Sequence, residues 1–136
     1  MEKIATSLKE VLGEWLPGRY RHETFNELYD AKPKHHTIRE DTKDRWKVGS
    51  LIHFVVFNRS KNQFQFAPVF KCKGIQKIEI THYVDWIAVT IDGRNLGIEE
   101  IIKLSINDGF DGVEAFFNYF NCDYKGKIIH WTDLRY

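Results

Sequence analysis

A chain of 136 residues, of which 43% are hydrophobic and 29% charged, has the length and composition of one folded domain. This balance excludes intrinsically disordered chains, which combine low hydrophobicity with a high net charge. The formal net charge is +1, which excludes attraction of the whole molecule to nucleic acid as a polyelectrolyte. Any nucleic-acid site must therefore be a local basic patch.

Cysteine usage and the spread of apolar residues indicate the class of protein. The two cysteines, Cys72 and Cys122, form neither a CxxC motif nor a disulfide framework. The N-terminal segment mixes Glu and Lys into its apolar residues, unlike a signal peptide, and no stretch has the length of a membrane span. We expect a soluble, cytoplasmic protein with no membrane partner and a single domain over residues 1–136.

The first third of the chain predicts helices. Apolar residues recur at helical spacing over residues 2–16 and Pro17-Gly18 follows, which predicts an amphipathic helix within an N-terminal extension of residues 1–18. The apolar residues around Phe25 predict a second, short helix that ends before Pro33.

The middle of the chain predicts strands. Four segments are rich in β-branched and aromatic residues and are separated by turn signals: residues 51–58, 63–70, 75–81 and 84–92. Within the third segment, Lys77 and Glu79 alternate with Ile78 and Ile80, which predicts one wet face. Together the four segments predict an antiparallel meander.

Helical spacing returns near the C-terminus. Isoleucines three and four residues apart predict a helix that Gly109 ends, and Asp111 with Glu114 resembles a capping box at the start of a second, Phe-rich helix. The closing segment KIIHWTDLRY predicts a strand. This order predicts an α+β domain, with a mostly antiparallel sheet or small β-barrel and flanking helices.

Motifs for the common catalytic and cofactor chemistries are missing from the sequence. There is no GxSxG, GxGxxG or GxxxxGK[ST], and neither cysteine lies in a catalytic signature. His35 and His36 are adjacent and cannot converge on a metal as an i, i+4 pair does, while His53 and His130 lie in predicted strands, where structural roles are common. We expect no metal and no cofactor.

The segment KHHTIREDTKDRW, residues 34–46, is the most informative part of the sequence. Residues 32–47 contain six Lys or Arg against three Asp or Glu. Such a run is commonly a solvated loop. Thr37-Ile38-Arg39 is nevertheless β-type, which would place the side chains of Thr37 and Arg39 on the same face of a strand.

This segment resembles the signature of the ASCH domain, a branch of the PUA-like superfamily. The resemblance lies in Lys34-x-x-Thr37-Ile38-Arg39, then Trp46 and Val48-Gly49 before a strand. Later features also resemble those of bacterial and phage members: Ile91-Asp92-Gly93, Asn107-Asp108-Gly109-Phe110, the Phe-rich helix and Trp131. The similarity therefore covers the chain from about Phe25 onward. The resemblance implies a small, mostly antiparallel PUA-like β-barrel with flanking helices and a cleft lined by the KxxTxR segment.

The resemblance also implies a function. Family members are proposed to bind RNA or modified nucleosides, which predicts a binding module in which Lys34 and Arg39 contact phosphate and Thr37 donates to a base or phosphate. Trp46 either stacks on a base or plugs the end of the barrel. Arg94 would reinforce anion binding.

Two alternatives stay open. One bacterial group of the family hydrolyses N4-acetylcytidine with a Lys, a Thr and a Glu, which would make Lys34 and Thr37 catalytic in an amidohydrolase of a modified nucleoside. The position that matches the Glu holds Arg94, and the nearby carboxylates do not match by motif: Asp92, Glu99 and Glu100. The other alternative is a protein-interaction domain with no nucleic-acid ligand.

Overall fold

The computed structural model describes residues 34–56, 59–65 and 67–136. The predicted N-terminal extension of residues 1–18 and the short helix predicted around Phe25 lie outside the described residues. The elements in chain order are β1 (His36–Arg39), β2 (Leu51–Ile52), β3 (Val55–Val56), β4 (Phe64–Gln65), β5 (Phe70–Lys71), β6 (Gly74–His82), β7 (Ile87–Ile91), β8 (Arg94–Asn95), α1 (Ile98–Asn107), α2 (Val113–Tyr119) and β9 (Tyr124–His130).

Five strands form the main sheet, in the order β1-β9-β6-β7-β8. Every pairing within it is antiparallel. The closing strand β9 therefore lies inside the sheet, between the first strand described and the long central strand β6. A mostly antiparallel sheet with two helices confirms the α+β prediction.

The first face of the main sheet packs against the two helices. Side chains alternate along β6, and Gln76, Ile78 and Ile80 are buried on the helix side. Helix α1 contributes Ile101 and Leu104 to this core, and α2 contributes Phe116. The apolar residues of the two helices and of the strands thus meet in one core layer.

The second face of the main sheet, turned away from the helices, is apolar at one end and polar over the remainder. Ile129 and Trp131 pack there with residues of the β2–β5 region, including Ile52, Phe54 and Cys72. Farther along the same face, Lys77 and Glu79 on β6 are exposed. The wet face predicted for this strand is confirmed.

The region predicted as two long paired strands instead forms two short strand pairs, β2 with β5 and β3 with β4. Leu51 pairs with Lys71 and Val55 with Gln65, so that four residues on one side correspond to six on the other. Pro68 lies within the longer side and has no N–H to donate to a ladder. This irregularity explains why the strands predicted over residues 51–58 and 63–70 are interrupted.

Turn chemistry fixes the other end of the sheet. Asp92 and Gly93 both have positive φ, at 50° and 81°, and they join Ile91 to its pairing partner Arg94. Two central residues with positive φ form the type I′ loop that suits the twist of an antiparallel hairpin. The result is β8, an edge strand that the sequence pattern does not indicate.

The helix ends are set by glycines and one carboxylate. The Glu100 side chain accepts a hydrogen bond from the N–H of Gly97, at 3.0 Å, at the start of α1. Gly109, with φ of 97°, follows the end of α1 as predicted. The predicted cap at Asp111 is wrong by one residue, since Gly112 precedes the first residue of α2. Neither helix in the described part of the chain has the length and apolar character that crossing a membrane requires.

Candidate functional site

Thr37 and Arg39 lie on the second face of the main sheet. The alternation in β1 buries His36 and Ile38 on the helix side and turns Thr37 and Arg39 to the opposite side, as the sequence predicts. Thr37 pairs with Ile129, beside the apolar end of this face, and Arg39 pairs with Lys127.

Three cations occupy one row across the second face. Arg39 on β1 is opposite Lys127 on β9, and Lys127 is opposite Lys77 on β6. We call these three residues the basic row. Like charges directly opposite each other destabilise a sheet, so such a row requires compensation by nearby carboxylates or by a bound anion.

The central lysine of the row is compensated by the loop that follows β1. The Lys127 ammonium donates to a carboxylate oxygen of Asp41 at 2.9 Å, to Asp44, and to the main-chain oxygen of Trp46 at 3.3 Å. Asp41 also accepts from the main-chain N–H groups of Arg45 and Trp46, both at 2.9 Å. These bonds, that with Lys127 foremost, lower the pKa of Asp41 to about 2. The charged run after β1 is therefore folded onto the sheet rather than a free solvated loop.

The outer two cations of the row are not compensated in this way. Both Arg39 and Lys77 are exposed, and within residues 34–56, 59–65 and 67–136 neither side chain has an ion-pair partner. A cavity of about 250 Å³ adjoins the row, lined by Asp41, Thr42, Lys77, Ile78, Glu79, Lys125, Gly126 and Lys127. Two of its cations, Lys125 and Lys127, are paired with carboxylates, and Lys77 is available to an anion.

Trp46 lies at the apolar end of the same face. It is partly buried and packs against the cluster that contains Ile129 and Trp131. Its main-chain groups are fixed by Asp41 and Lys127. The packing gives Trp46 an apolar contact on this face, and both roles expected for it, stacking on a base and plugging the end of a barrel, stay predictions.

Lys34 does not join Thr37 and Arg39. Its ammonium donates to the main-chain oxygen of Asp108 at 2.6 Å, just past the end of α1, and lies 3.8 Å from the Asp108 carboxylate. A lysine in this position satisfies a terminal carbonyl and complements the negative end of the helix dipole. Because Asp108 also contacts His36, Lys34 lies on the helix side of the sheet, and the predicted grouping of Lys34 with Thr37 and Arg39 is not formed.

A buried polar chain extends from Lys34 through His36. His36 is fully buried, with Nδ1 at 3.2 Å from an Asp108 carboxylate oxygen and Nε2 at 2.7 Å from the Tyr136 hydroxyl. The carboxylate can only accept, so Nδ1 carries the proton and Nε2 accepts from Tyr136. The hydroxyl of Tyr136 in turn accepts from the Asn107 amide at 3.0 Å. Burial is the main reason that the pKa of His36 is lowered, against the opposing effect of Asp108.

His130 stands beside His36 in the same interior. The two ring centroids are 5.2 Å apart in an edge arrangement. His130 Nε2 lies 3.0 Å from Gln76 Oε1 and donates to it, while Nδ1 is buried with no hydrogen-bond partner among the described residues. Burial lowers the pKa of His130 to about 3, followed by the effects of His36 and Arg135. Charging this ring would leave a second donor unsatisfied.

Arg94 lies at the opposite edge of the sheet. Four strand-to-strand steps separate β8 from β1, which corresponds to about 19 Å. The Arg94 guanidinium forms two hydrogen bonds with Glu100, at 2.9 and 3.1 Å. The structure therefore does not bring Arg94 into one cleft with Thr37 and Arg39, and the predicted reinforcement of their anion site is wrong on geometry.

The three carboxylates near Arg94 in sequence are not among the contacts of Lys34 in the described part of the chain. Asp92 accepts from the main-chain N–H of Lys77 and from the Gln76 amide, while Glu100 is occupied by Arg94 and Gly97. Glu99 is exposed on α1. Among the described residues, the carboxylate of Asp108 lies near the Lys34 ammonium, at 3.8 Å. No group of three or more His, Cys, Asp or Glu within the described ranges could hold a metal ion.

Lys77 and Lys127 belong to the candidate site but were not predicted as site residues from the sequence. Alternation predicts that Lys77 faces solvent, but its neighbour across the sheet depends on the register of β9, which begins more than 40 residues later. The available signal was a lysine directly before an isoleucine in a predicted strand, as in Lys77-Ile78 and Lys127-Ile128. Comparison of the chain with protein-family models, curated proteins and solved structures finds no match in any of the three.

Proposed function

We propose that this chain is an RNA- or nucleotide-binding module that contacts phosphate groups at the basic row. The observation that carries the proposal is the pair of exposed cations, Arg39 and Lys77, which flank Lys127 without ion-pair partners of their own among the described residues. A phosphate has the charge that such a row lacks, and arginine can bind it through two parallel hydrogen bonds.

The charge balance of the chain favours a local site of this kind. With a formal net charge of +1, the protein has no general attraction for polyanions. The basic row concentrates three cations within two strand-to-strand steps, about 10 Å. The cavity beside Lys77 adds a concave surface, and the exposed part of Trp46 offers an aromatic edge on the same face.

We further propose that the fold is the PUA-like β-barrel of the ASCH domain. Support comes from the KxxTxR strand, the antiparallel sheet and the two helices that follow β8. The proposal changes one part of the expected site: the strand contributes Thr37 and Arg39 to the ligand face, while Lys34 supports the end of α1.

Salt-dependent binding of a short single-stranded uridine oligomer tests the proposal. The variant Arg39→Ala/Lys77→Ala removes the two cations of the row that have no ion-pair partner in the described part of the chain. Affinity at low salt should fall by roughly tenfold per lost phosphate contact. The slope of log K against log salt should become shallower by about 1.4, because each contact to a single strand contributes about 0.7.

Lys103→Ala is the matched control, since Lys103 is an exposed lysine on α1, on the other side of the sheet. It should retain the affinity and the salt slope of the wild type. Absence of binding by the wild type, or equal salt slopes for the double variant and the control, would refute the proposal.

The amidohydrolase alternative has less support from the geometry. A catalytic lysine must reach the hydroxyl it activates, but the Lys34 ammonium is engaged at the end of α1 and Thr37 faces the other side of the sheet. Incubation of wild type and Lys34→Ala with N4-acetylcytidine tests it directly. Release of cytidine by the wild type alone would restore the enzyme as the better assignment.

A further inference from the structure

The hairpin between β6 and β7 ends in a stacked aromatic pair. The rings of Tyr83 and Trp86 have centroids 4.5 Å apart and an interplanar angle of 13°. Their backbones are tied by a hydrogen bond from the N–H of Tyr83 to the oxygen of Trp86, at 2.8 Å. We call these two residues the aromatic platform.

The platform is more exposed than stabilisation of the hairpin requires. Tyr83 is 53% exposed and Trp86 58%, although each ring covers one face of the other, and Val84 between them is fully exposed. A cross-strand pair that served only the hairpin would gain by burying its outer faces as well. Apolar surface concentrated at one exposed tip is typical of a contact site.

The platform lies on the same side of the sheet as the basic row. Alternation along β6 places Lys77, Glu79 and Thr81 on the second face, and Tyr83 continues that series. The six residue-to-residue steps from Lys77 to Tyr83 span about 20 Å. Thr81 pairs with Ala88 between the row and the platform, and both side chains are small.

The charges near the platform select the part of a nucleic acid that would lie there. Asp85 is exposed in the turn, and Asp123 accepts a hydrogen bond from the N–H of His82 at the end of β6. Carboxylates repel phosphate, so this end of the face disfavours the backbone of a strand. Aromatic faces bind bases by stacking and need no positive charge to do so.

We propose that Tyr83 and Trp86 form a base-stacking platform for a single-stranded RNA whose phosphates bind the basic row. This inference rests on the proposed function and extends it from phosphate binding to a strand of several nucleotides along β6. It predicts that a ligand must span about 20 Å to use both features.

Binding of two short oligomers of equal length tests the proposal, one of uridines and one of base-free ribose phosphate. Trp86→Ala should weaken binding of the uridine oligomer roughly five- to hundredfold, and leave binding of the base-free oligomer and the salt slope unchanged. Trp86→Phe keeps an aromatic face and should restore most of the affinity. Val84→Ala, which alters an exposed neighbour without a ring, is the control and should behave as wild type.

The outcomes separate the two proposals. If the wild type binds neither oligomer, the proposed function fails, and the platform proposal with it. If binding depends on Arg39 and Lys77 but Trp86→Ala keeps full affinity for the uridine oligomer, the platform alone is refuted. Equal weakening for both oligomers, or a change only in self-association of the protein, also refutes stacking.

Discussion

Acid should destabilise this protein through His130, because the folded chain cannot protonate that ring without cost. The pKa of His130 is lowered from its usual 6.5 to about 3, mainly by burial. Among the described residues, the side chains that face the ring are those of Gln76, His36, Tyr136 and Arg135, and none of them is a carboxylate. A proton on Nδ1 would therefore be both desolvated and without an acceptor.

The direction of the effect follows from proton linkage. Between about pH 6.5 and about pH 3 the unfolded chain binds a proton at His130 that the folded chain does not, so the free energy of unfolding falls as the pH falls. From about pH 7.5 to about pH 5 the loss from this one histidine is about 2 kcal/mol. His36, whose pKa is also lowered, adds a loss of the same sign. Against a typical stability of about 5–15 kcal/mol, this is a measurable fraction.

Urea unfolding at these two pH values, for wild type and His130→Gln, measures the effect. The glutamine amide can donate the same hydrogen bond to Gln76 but does not titrate. The wild type should lose about 2 kcal/mol more than the variant between the two pH values, whatever their stabilities at neutral pH. His53→Gln, at an exposed side chain, is the control and should follow the wild type. Equal losses in wild type and His130→Gln would show that burial of this ring does not control its protonation.

Three further perturbations test the packing and the charges around the sheet. A Cβ at Gly126 would lie 2.7 Å from the main-chain oxygen of Arg39, and that oxygen cannot move away without separating β1 from β9. Gly126→Ala should therefore lower the free energy of unfolding, measured by urea denaturation, by about 1–3 kcal/mol. An unchanged free energy of unfolding would contradict this strand pairing. Phe116 is fully buried between the helices and the sheet, so Phe116→Ala should lower the free energy of unfolding by about 3–5 kcal/mol in the same measurement. A decrease of less than about 1 kcal/mol would contradict the position of Phe116 in the core. Asp41, whose pKa is lowered to about 2, stabilises the folded state above about pH 4 and loses this contribution as the pH falls towards 2. In acid unfolding followed by tryptophan fluorescence, Asp41→Asn should lack the loss of stability between these two pH values. Identical acid transitions in wild type and variant would contradict the ion pair between Asp41 and Lys127.

The elements that could be predicted are those whose pattern repeats locally. Alternation in IQKIEIT specifies the two faces of β6, because it reports burial within one element. The spacing of isoleucines predicts the helix α1 but not its buried face, since Ile98 and Ile102 are exposed while Ile101 is buried. The short strand within the charged run could be predicted for the same reason. The interruption between β2 and β3 could not, because it depends on how the partner strand passes Pro68.

The composition of the site depends on pairings that join distant parts of the chain, and local patterns do not carry them. Thr37 and Arg39 could be placed on one face from alternation alone. The lysines beside Arg39 required the register of β9, and the separation of Arg94 required the type I′ turn that sends β8 to the far edge. Lys34 looked equivalent to Arg39 in the sequence because both are basic, Lys34 just before β1 and Arg39 at its end. Its contact with Asp108 places it on the other side.

The segment KHHTIREDTKDRW therefore divides between two roles by the alternation of a single strand. His36 points into the polar interior and joins Asp108 to Tyr136, while Arg39 points to the surface and extends the row of Lys127 and Lys77. Substitutions on the two sides should have separate effects. His36→Phe should lower the free energy of unfolding without changing the salt slope of RNA binding. Arg39→Ala should make the salt slope shallower without changing the free energy of unfolding. Because the two side chains share no partner among the described residues, the effects of the double variant should add to within about 0.5 kcal/mol. A larger coupling would mean that the buried polar chain and the basic row act as one site, with the sheet transmitting strain between its faces.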